Sequence, residues 1–426
     1  MSLSEHQIAV IGGGISGLAV ASMLQQAGYG VQVYERADRP GGLVKCSVVN
    51  SCLYHLTGGH VFNSKREDVL DWFWGRFDKE RDFLRARRNA VASLEDGQCI
   101  GYPVENHLYQ FDSATRSCII RELLASVRRE TPVPTTLGAF FDTRFGPTLN
   151  KLYFTPYNNK IWGRDISNLP LDWLQGKLPM PTLEDIFENN IGLVDESAMV
   201  HSSFFYAKHG GSQFLADTLA RGLNIRYNCD VASITREGKQ WKINGELYDA
   251  VVFAANLRLL PSMLEETHEL QSLAAEIASL DYHGTTSVLC GMDANPYSWI
   301  YLPSPRHGSH RMICTGNFSP FNNADDRGES GRTTCTVEFS RPMNREEIER
   351  ELLELPFHPS YMAHHYEEYT YPVQDERSRA IVTRTKNLLA PGNFHLLGRF
   401  AEWEYYNMDA AIGAAIDFTR HFQLPA

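Results

Sequence analysis

The chain has 426 residues, 43% of them hydrophobic and 21% charged, with a formal net charge of −11. This length holds two or three domains with a full core, and the composition is that of an ordinary globular protein rather than a disordered or fibrous one. The acidic balance argues against nucleic acid and anionic membranes as partners, so an anionic ligand needs a local cluster of Arg and Lys, and no apolar run reaches the ~18–20 residues of a membrane span.

The first predicted element is a strand, Ile8–Ile11, that enters Gly12-Gly13-Gly14-Ile15-Ser16-Gly17 and then a helix. No basic segment with a cleavage site precedes it, so a secretory signal is not expected. A second apolar strand, Val31–Glu35, ends in an acid eighteen residues past Gly17. Strand, glycine turn, helix, strand and acid together form the GxGxxG dinucleotide fingerprint. Gly12 permits the tight turn, Gly14 lets the backbone approach a pyrophosphate, and Gly17 lets helix and strand pack closely. Ile15 and Ser16 open the helix whose positive end faces the phosphates, and Glu35 is placed for a ribose. Arg36 then begins a run that reaches Gly41, Gly42 and Leu43. This E-R-x-x-x-x-G-G continuation resembles the FAD signature of amine oxidase and glutathione reductase type flavoproteins, which implies FAD as the cofactor.

Residues 66–199 read as a mainly helical insert, with Arg116–Arg129 and Leu137–Phe145 as amphipathic examples. A glycine turn at Gly210-Gly211 leads into a helix, followed by strands Asn224–Tyr227, Val231–Arg236 and Gln240–Ile243 and the buried run Ala250–Ala255. The short β-rich runs Thr286–Cys290, Trp299–Leu302, Arg311–Thr315 and Thr333–Phe339 predict an antiparallel sheet. Phe394–Arg399 and a helix from about Met408 form a third return to the dinucleotide fold. The expected fold class is therefore α/β: a discontinuous Rossmann-like FAD-binding domain (1–65, 200–265 and 380–426), the helical insert, and an antiparallel sheet domain for the substrate (266–379). Eight cysteines, Cys46, Cys52, Cys99, Cys118, Cys229, Cys290, Cys314 and Cys335, are dispersed with no CxxC pair. That pattern predicts reduced thiols in a cytoplasmic protein and no metal centre. His107 and His209 read as polar surface residues.

Four further segments are Gly58-Gly59-His60-Val61-Phe62, Tyr102-Pro103-Val104-Glu105-Asn106, Pro156-Tyr157-Asn158-Asn159-Lys160-Ile161-Trp162-Gly163 and Gly398-Arg399-Phe400-Ala401-Glu402-Trp403-Glu404-Tyr405-Tyr406-Asn407-Met408-Asp409. In this order, spanning nearly the whole chain, they resemble the UDP-galactopyranose mutases. The resemblance implies reduced FAD whose N5 attacks the anomeric carbon of a nucleotide sugar, so that pyranose and furanose forms interconvert without net redox. It implies catalytic roles for His60, Arg311 and Arg399. Tyr102, Asn158, Trp162, Lys177, Tyr371 and Tyr405 would join the two arginines around sugar and diphosphate. Gly58, Gly59, His60, Gly398, Arg399, Asn407 and Met408 would complete the flavin site.

Electrons would come from NAD(P)H or a separate reductase; no second GxGxxG is present, so NAD(P)H would visit the substrate cleft. Three positions depart from the pattern: Glu105 stands in place of glutamine, Lys177 of arginine and Phe318 of tyrosine. They leave the sugar and the base open, as the sequence leaves the oligomeric state, a homo-oligomer included. Two alternatives share the FAD domain. An oxidase or desaturase of the amine oxidase or protoporphyrinogen oxidase type would carry an apolar cage and no diphosphate clamp. A catalytically lapsed nucleotide-sugar binding or regulatory protein has Lys177 and Phe318 as its only hints.

Overall fold

A computed structural model describes residues 6–128, 134–167, 171, 181–193, 203–264, 268–323 and 332–424. Its centre is a parallel sheet of five strands in the order Phe394–Leu396, Ala250–Phe253, Gln7–Ile11, Gly30–Tyr34, Asn224–Arg226. The inner strands Gln7–Ile11 and Ala250–Phe253 read as nearly continuous apolar runs because both faces of the sheet are covered there. Ile8, Val10, Val33 and Val252 point into one core, against the first helix (Ile15–Gln26) and the last (Met408–His421). Their neighbours Ala9, Ile11, Tyr34, Val251 and Phe253 point into the other, against helices His268–Ala278 and Glu376–Leu389. The alternation is the two-residue period of a strand. Three separated stretches of chain thus build one sheet, as the fingerprint and its two returns predicted. One detail differs: Asn224–Arg226 is the parallel edge of this sheet, whereas Ile234–Glu237, Gln240–Ile243 and Glu246–Tyr248 form a separate antiparallel meander.

The second large sheet has seven strands, ordered Ser360–Pro372, Tyr282–Asp293, Arg332–Phe339, Arg311–Ile313, Trp299–Tyr301, Ala90–Ser93, Cys99–Gly101. It is antiparallel except where Trp299–Tyr301 runs parallel to Ala90–Ser93. The mainly helical stretch 66–199 also contributes three short strands. Residues 90–101 form a hairpin of this sheet, and Phe83–Arg87 pairs with Ser203–Ala207. These strands are three to five residues long, and Phe83–Arg87 and Ala90–Ser93 also take partners far away in sequence, so local periodicity carries little trace of them. Helices Ser113–Arg128, Leu137–Phe145, Thr155–Trp162 and Leu183–Ile191 do surround an aromatic core that includes Phe141, Phe145, Phe154 and Tyr157.

All eight cysteines are free thiols. Among the described residues no helix is long and apolar enough to cross a membrane.

Candidate active site

At the carboxyl end of the central strands two glycine loops lie backbone against backbone. Gly41 N donates to Gly13 O at 2.8 Å, and Gly12 N to Tyr34 O at 2.8 Å. Gly12 has φ +110°, and a Cβ on Gly17 would stand 1.9 Å from Gly12 O, so neither position admits a side chain without moving the turn. Gly14 differs. A Cβ there would meet nothing nearer than the Cα of Gly42, at 4.0 Å. The space in front of Gly14 is open, and Gly42 beside it is exposed.

The first helix starts at this opening with Gly14 as its N-cap and no side chain capping it; the last helix starts with Asn407 as N-cap, likewise uncapped. Both follow strands of the same parallel sheet, so both present free N–H groups and the positive ends of their dipoles at its carboxyl edge. Gly398 (φ +108°) packs against Ser16, whose Oγ would lie 2.7 Å from a Cβ at that position. Ile15 and Met408 are buried under the two helix starts. Glu35 is buried, and its carboxylate accepts from Gly13 N (2.7 Å) and Ala37 N (2.9 Å), so it ties the two loops together. Arg36 is exposed beyond it. Two uncapped helix starts, an open glycine and an anchored acid fit a dinucleotide pyrophosphate.

The second half of the site lies where the loop Gly58–His60 crosses the seven-stranded sheet. Gly58 has φ +66° and donates its N–H to Ser287 Oγ (3.3 Å); a Cβ on Gly59 would stand 2.5 Å from Ile313 Cγ2. His60 Nε2 lies 3.0 Å from Leu43 O, and since a carbonyl only accepts, Nε2 carries the proton. Burial, with smaller contributions from His55 and Arg399, lowers the His60 pKa to about 4, so the ring is neutral and Nδ1 is left as an acceptor.

Across the sheet, Ser287, Glu338, Arg311 and Tyr301 stand opposite one another on successive strands. Arg311 Nε is paired to Glu338, and Arg311 NH2 donates to Tyr371 OH at 2.9 Å. Burial opposes the arginine charge, but Glu338 outweighs it and holds the guanidinium protonated. Burial would likewise raise the Glu338 carboxyl; Arg311 and His310 reverse that and bring it down to about 2.

Tyr371 stacks on Tyr405 (centroids 5.6 Å apart, planes at 12°), and the Arg399 guanidinium lies over both rings at 4.9 and 4.7 Å. Arg399 NH1 donates to Tyr406 O at 3.1 Å, while its Nε is buried with no partner among the described residues. The other face of Tyr371 stacks on His283, which meets Trp162 edge-on at 5.5 Å. His60, Arg311, Arg399, Tyr371, Tyr405 and Trp162 are thus drawn into one constellation.

Tyr102 sits one layer further out, 4.4 Å from Tyr301 and under the Arg88 guanidinium, which also donates to Tyr301 OH. Asn158 is buried and turns its amide back to Phe154 O at 2.8 Å. Glu105 is buried, and burial pushes its carboxyl up to about 7. Phe318 packs among Phe204, Tyr206 and Trp299, where a hydroxyl is not called for. Lys177 lies outside the described residues. His107 is buried rather than on the surface, with Nδ1 2.8 Å from Pro103 O; His209 is exposed, as expected. Glu338, His283 and Arg88 are the residues that sequence reasoning missed. For Glu338 the sequence shows an acid inside the apolar run Arg332–Phe339, which does not by itself separate a paired, buried acid from a solvent-facing one.

Comparison with known proteins places this geometry. A model of NAD(P)-binding Rossmann-like domains matches residues 10–77, and one of flavin containing amine oxidoreductases matches residues 136–365, more than half of the chain. The chain belongs to the flavin-containing amine oxidoreductase family. It is a flavin enzyme of that fold, with FAD as the cofactor the family carries. The resemblance read from the four segments is borne out over the full length. The probable UDP-galactopyranose mutase of Klebsiella pneumoniae is 26% identical, covering 99% of this chain and 95% of that protein. The UDP-galactopyranose mutase of Mycoplasma pneumoniae is 23% identical, covering 97% and 95%. In fold, a crystal structure of a reduced UDP-galactopyranose mutase superposes with a TM-score of 0.84 at 22% identity, over 98% of this chain and 95% of that one. A putrescine oxidase bound to putrescine superposes at 0.63 with 14% identity, over 97% and 98%.

Proposed function

We propose that this flavoprotein is a mutase that interconverts the pyranose and furanose forms of a nucleotide sugar, UDP-galactopyranose or a relative. The observation that carries the reading is the gathering of Arg311, Arg399, Tyr371 and Tyr405 beside the Gly58–His60 loop. An acidic protein with a net charge of −11 needs a local cationic cluster to hold a diphosphate, and this is one. The full-length relatives named as UDP-galactopyranose mutases support it.

When bound and reduced, FAD supplies N5 as the nucleophile toward the anomeric carbon and ends as it began. The chain's own residues bind and orient. Arg311 and Arg399 offer guanidinium forks to the phosphate oxygens, with Tyr371 and Tyr405 adding hydroxyls. His60 presents a neutral Nδ1 as an acceptor at the flavin edge. Trp162 and Tyr102 wall the cleft. Reduction would come from NAD(P)H visiting that cleft or from a separate reductase. A cytoplasmic, reducing setting fits eight unpaired thiols.

A second reading, an oxidase of the amine oxidase or protoporphyrinogen oxidase type, has the shared fold in its favour, but it gives no role to the two guanidiniums of Arg311 and Arg399 gathered around Tyr371. The experiment that separates them is a screen of nucleotide sugars against the dithionite-bleached protein, with product ring size read by NMR. A furanose product supports the mutase; oxygen consumption with an amine or porphyrinogen, and no furanose from any nucleotide sugar, supports the oxidase.

A further inference from the structure

Glu338 is 1% exposed, and its two carboxylate oxygens are used unequally. Oε2 serves Arg311 and lies 3.3 Å from His310 Nε2. Oε1 is buried with no hydrogen-bond partner among the described residues. It faces the loop that crosses the sheet: a Cβ on Gly58 would stand 3.4 Å from it, and the His60 ring feels the Glu338 charge. An ionised oxygen kept dry without a donor is among the costlier states a fold can hold, and such a state is explained when a ligand brings the donor. The sign of the charge then decides which end of a nucleotide sugar comes here. Phosphate oxygens are repelled by a carboxylate and drawn to Arg311 and Arg399, whereas a sugar hydroxyl donates to it with a charge-assisted bond.

We propose that Glu338 forms a sugar subsite, in which Oε1 accepts a hydrogen bond from one hexose hydroxyl while Oε2 keeps Arg311 turned toward the diphosphate. This rests on the nucleotide-sugar reading above and adds the group that reads the sugar. A site built to bond a hydroxyl rejects the analogue lacking it far more strongly than an apolar pocket would.

The test uses the full chain, loaded with FAD and reduced, with UDP-galactopyranose and its 2-, 3- and 6-deoxygalactose analogues as substrates; the 4-deoxy analogue lacks the hydroxyl that closes the furanose ring, so its affinity as an inhibitor takes the place of kcat/KM. In the wild type one analogue should lose at least ~10-fold in kcat/KM relative to the parent, the loss of one hydrogen bond to a charged group. In Glu338→Gln, whose oxygen still accepts from Arg311, the parent should fall and the same analogue should fall little further, the discrimination shrinking to within ~3-fold. Glu338→Asp, which withdraws the carboxylate while keeping its charge, serves as a second variant and should show the same collapse. Equal treatment of all analogues by the wild type, or an undiminished penalty in a folded, flavin-loaded variant, overturns the subsite alone. Failure of the wild type to turn over any nucleotide sugar overturns the mutase reading and the subsite with it.

Discussion

Arg311 and Glu338 face each other across adjacent strands, and their pairing decides what each substitution does. Arg311→Ala removes the larger of the two partners, Arg311 and His310, that offset Glu338's burial, so the variant should lose about 3–5 kcal/mol of stability, as expected when one member of a buried pair is deleted. It should also lose at least ~10-fold in kcat/KM. Flavin content should stay near that of the wild type, because Arg311 belongs to the seven-stranded sheet. Urea unfolding of the double variant Arg311→Met/Glu338→Leu separates the two effects: stability should largely return, activity should not. Recovery of activity in that double variant would remove Arg311 from the diphosphate site.

His55 gives a second residue-scale prediction. It is 0% exposed, within 2.7 Å of Tyr206 OH, and burial lowers its pKa to about 4 from the ordinary 6.5. Between pH 6.5 and 4 the unfolded chain takes up a proton that the folded chain refuses, so stability falls as pH drops through that window. The Tm should be lower at pH 5 than at pH 7, and His55→Gln, which cannot titrate, should make the fall shallower. An unchanged slope in that variant would contradict the assignment. Arg311, Arg399 and Tyr405 were legible because charged and aromatic side chains stand out within a motif. Glu338 was not: a single acid in an apolar strand looks like a solvent-facing position until its cross-strand partner is known.

At the scale of elements, the glycine loops make two opposite predictions from one motif. Gly17→Ala places a Cβ 1.9 Å from Gly12 O, so it should destabilise the whole turn, beyond the ~1–3 kcal/mol of ordinary overpacking. Gly14→Val meets open space in the protein, with Gly42 Cα at 4.0 Å as its nearest neighbour. On the reading of this loop as a dinucleotide site, the side chain meets the pyrophosphate instead. The Gly14→Val protein should therefore fold and melt like the flavin-free wild type while binding little or no FAD, as read by its visible absorbance. A fully yellow Gly14→Val protein would count against a dinucleotide at this loop.

The central sheet was legible because its inner strands are apolar on both faces and the first of them runs into the glycine turn. Strand Ser360–Pro372 was not, although it contributes Tyr371. It is the outer strand of its sheet, half-exposed along most of its length, and so shows no clean alternation. The hairpin 90–101 was hidden for a different reason: what fixes it is pairing to Trp299–Tyr301, about two hundred residues away in sequence.

On the scale of the whole molecule, two bodies of β-structure meet at one site. The parallel sheet offers uncapped helix starts to a dinucleotide, and the seven-stranded sheet offers Arg311, Glu338 and Tyr371 to whatever lies beside the flavin. The last segment of the chain, with Gly398, Arg399 and Tyr405, belongs to both. The same scaffold carries amine oxidation in the putrescine oxidase, so fold alone does not choose the chemistry. On the function proposed above, the charged lining makes that choice, in favour of a diphosphate-bearing substrate. The most direct measurement is therefore anaerobic: the FAD-loaded protein is reduced, mixed with excess UDP-galactopyranose, and followed by flavin absorbance and by NMR of the product ring. The account predicts furanose in many-fold excess over flavin, with the flavin still reduced at the end and the oxidised protein inactive. Equal turnover by oxidised protein, or one flavin oxidised for each molecule of product, would contradict it.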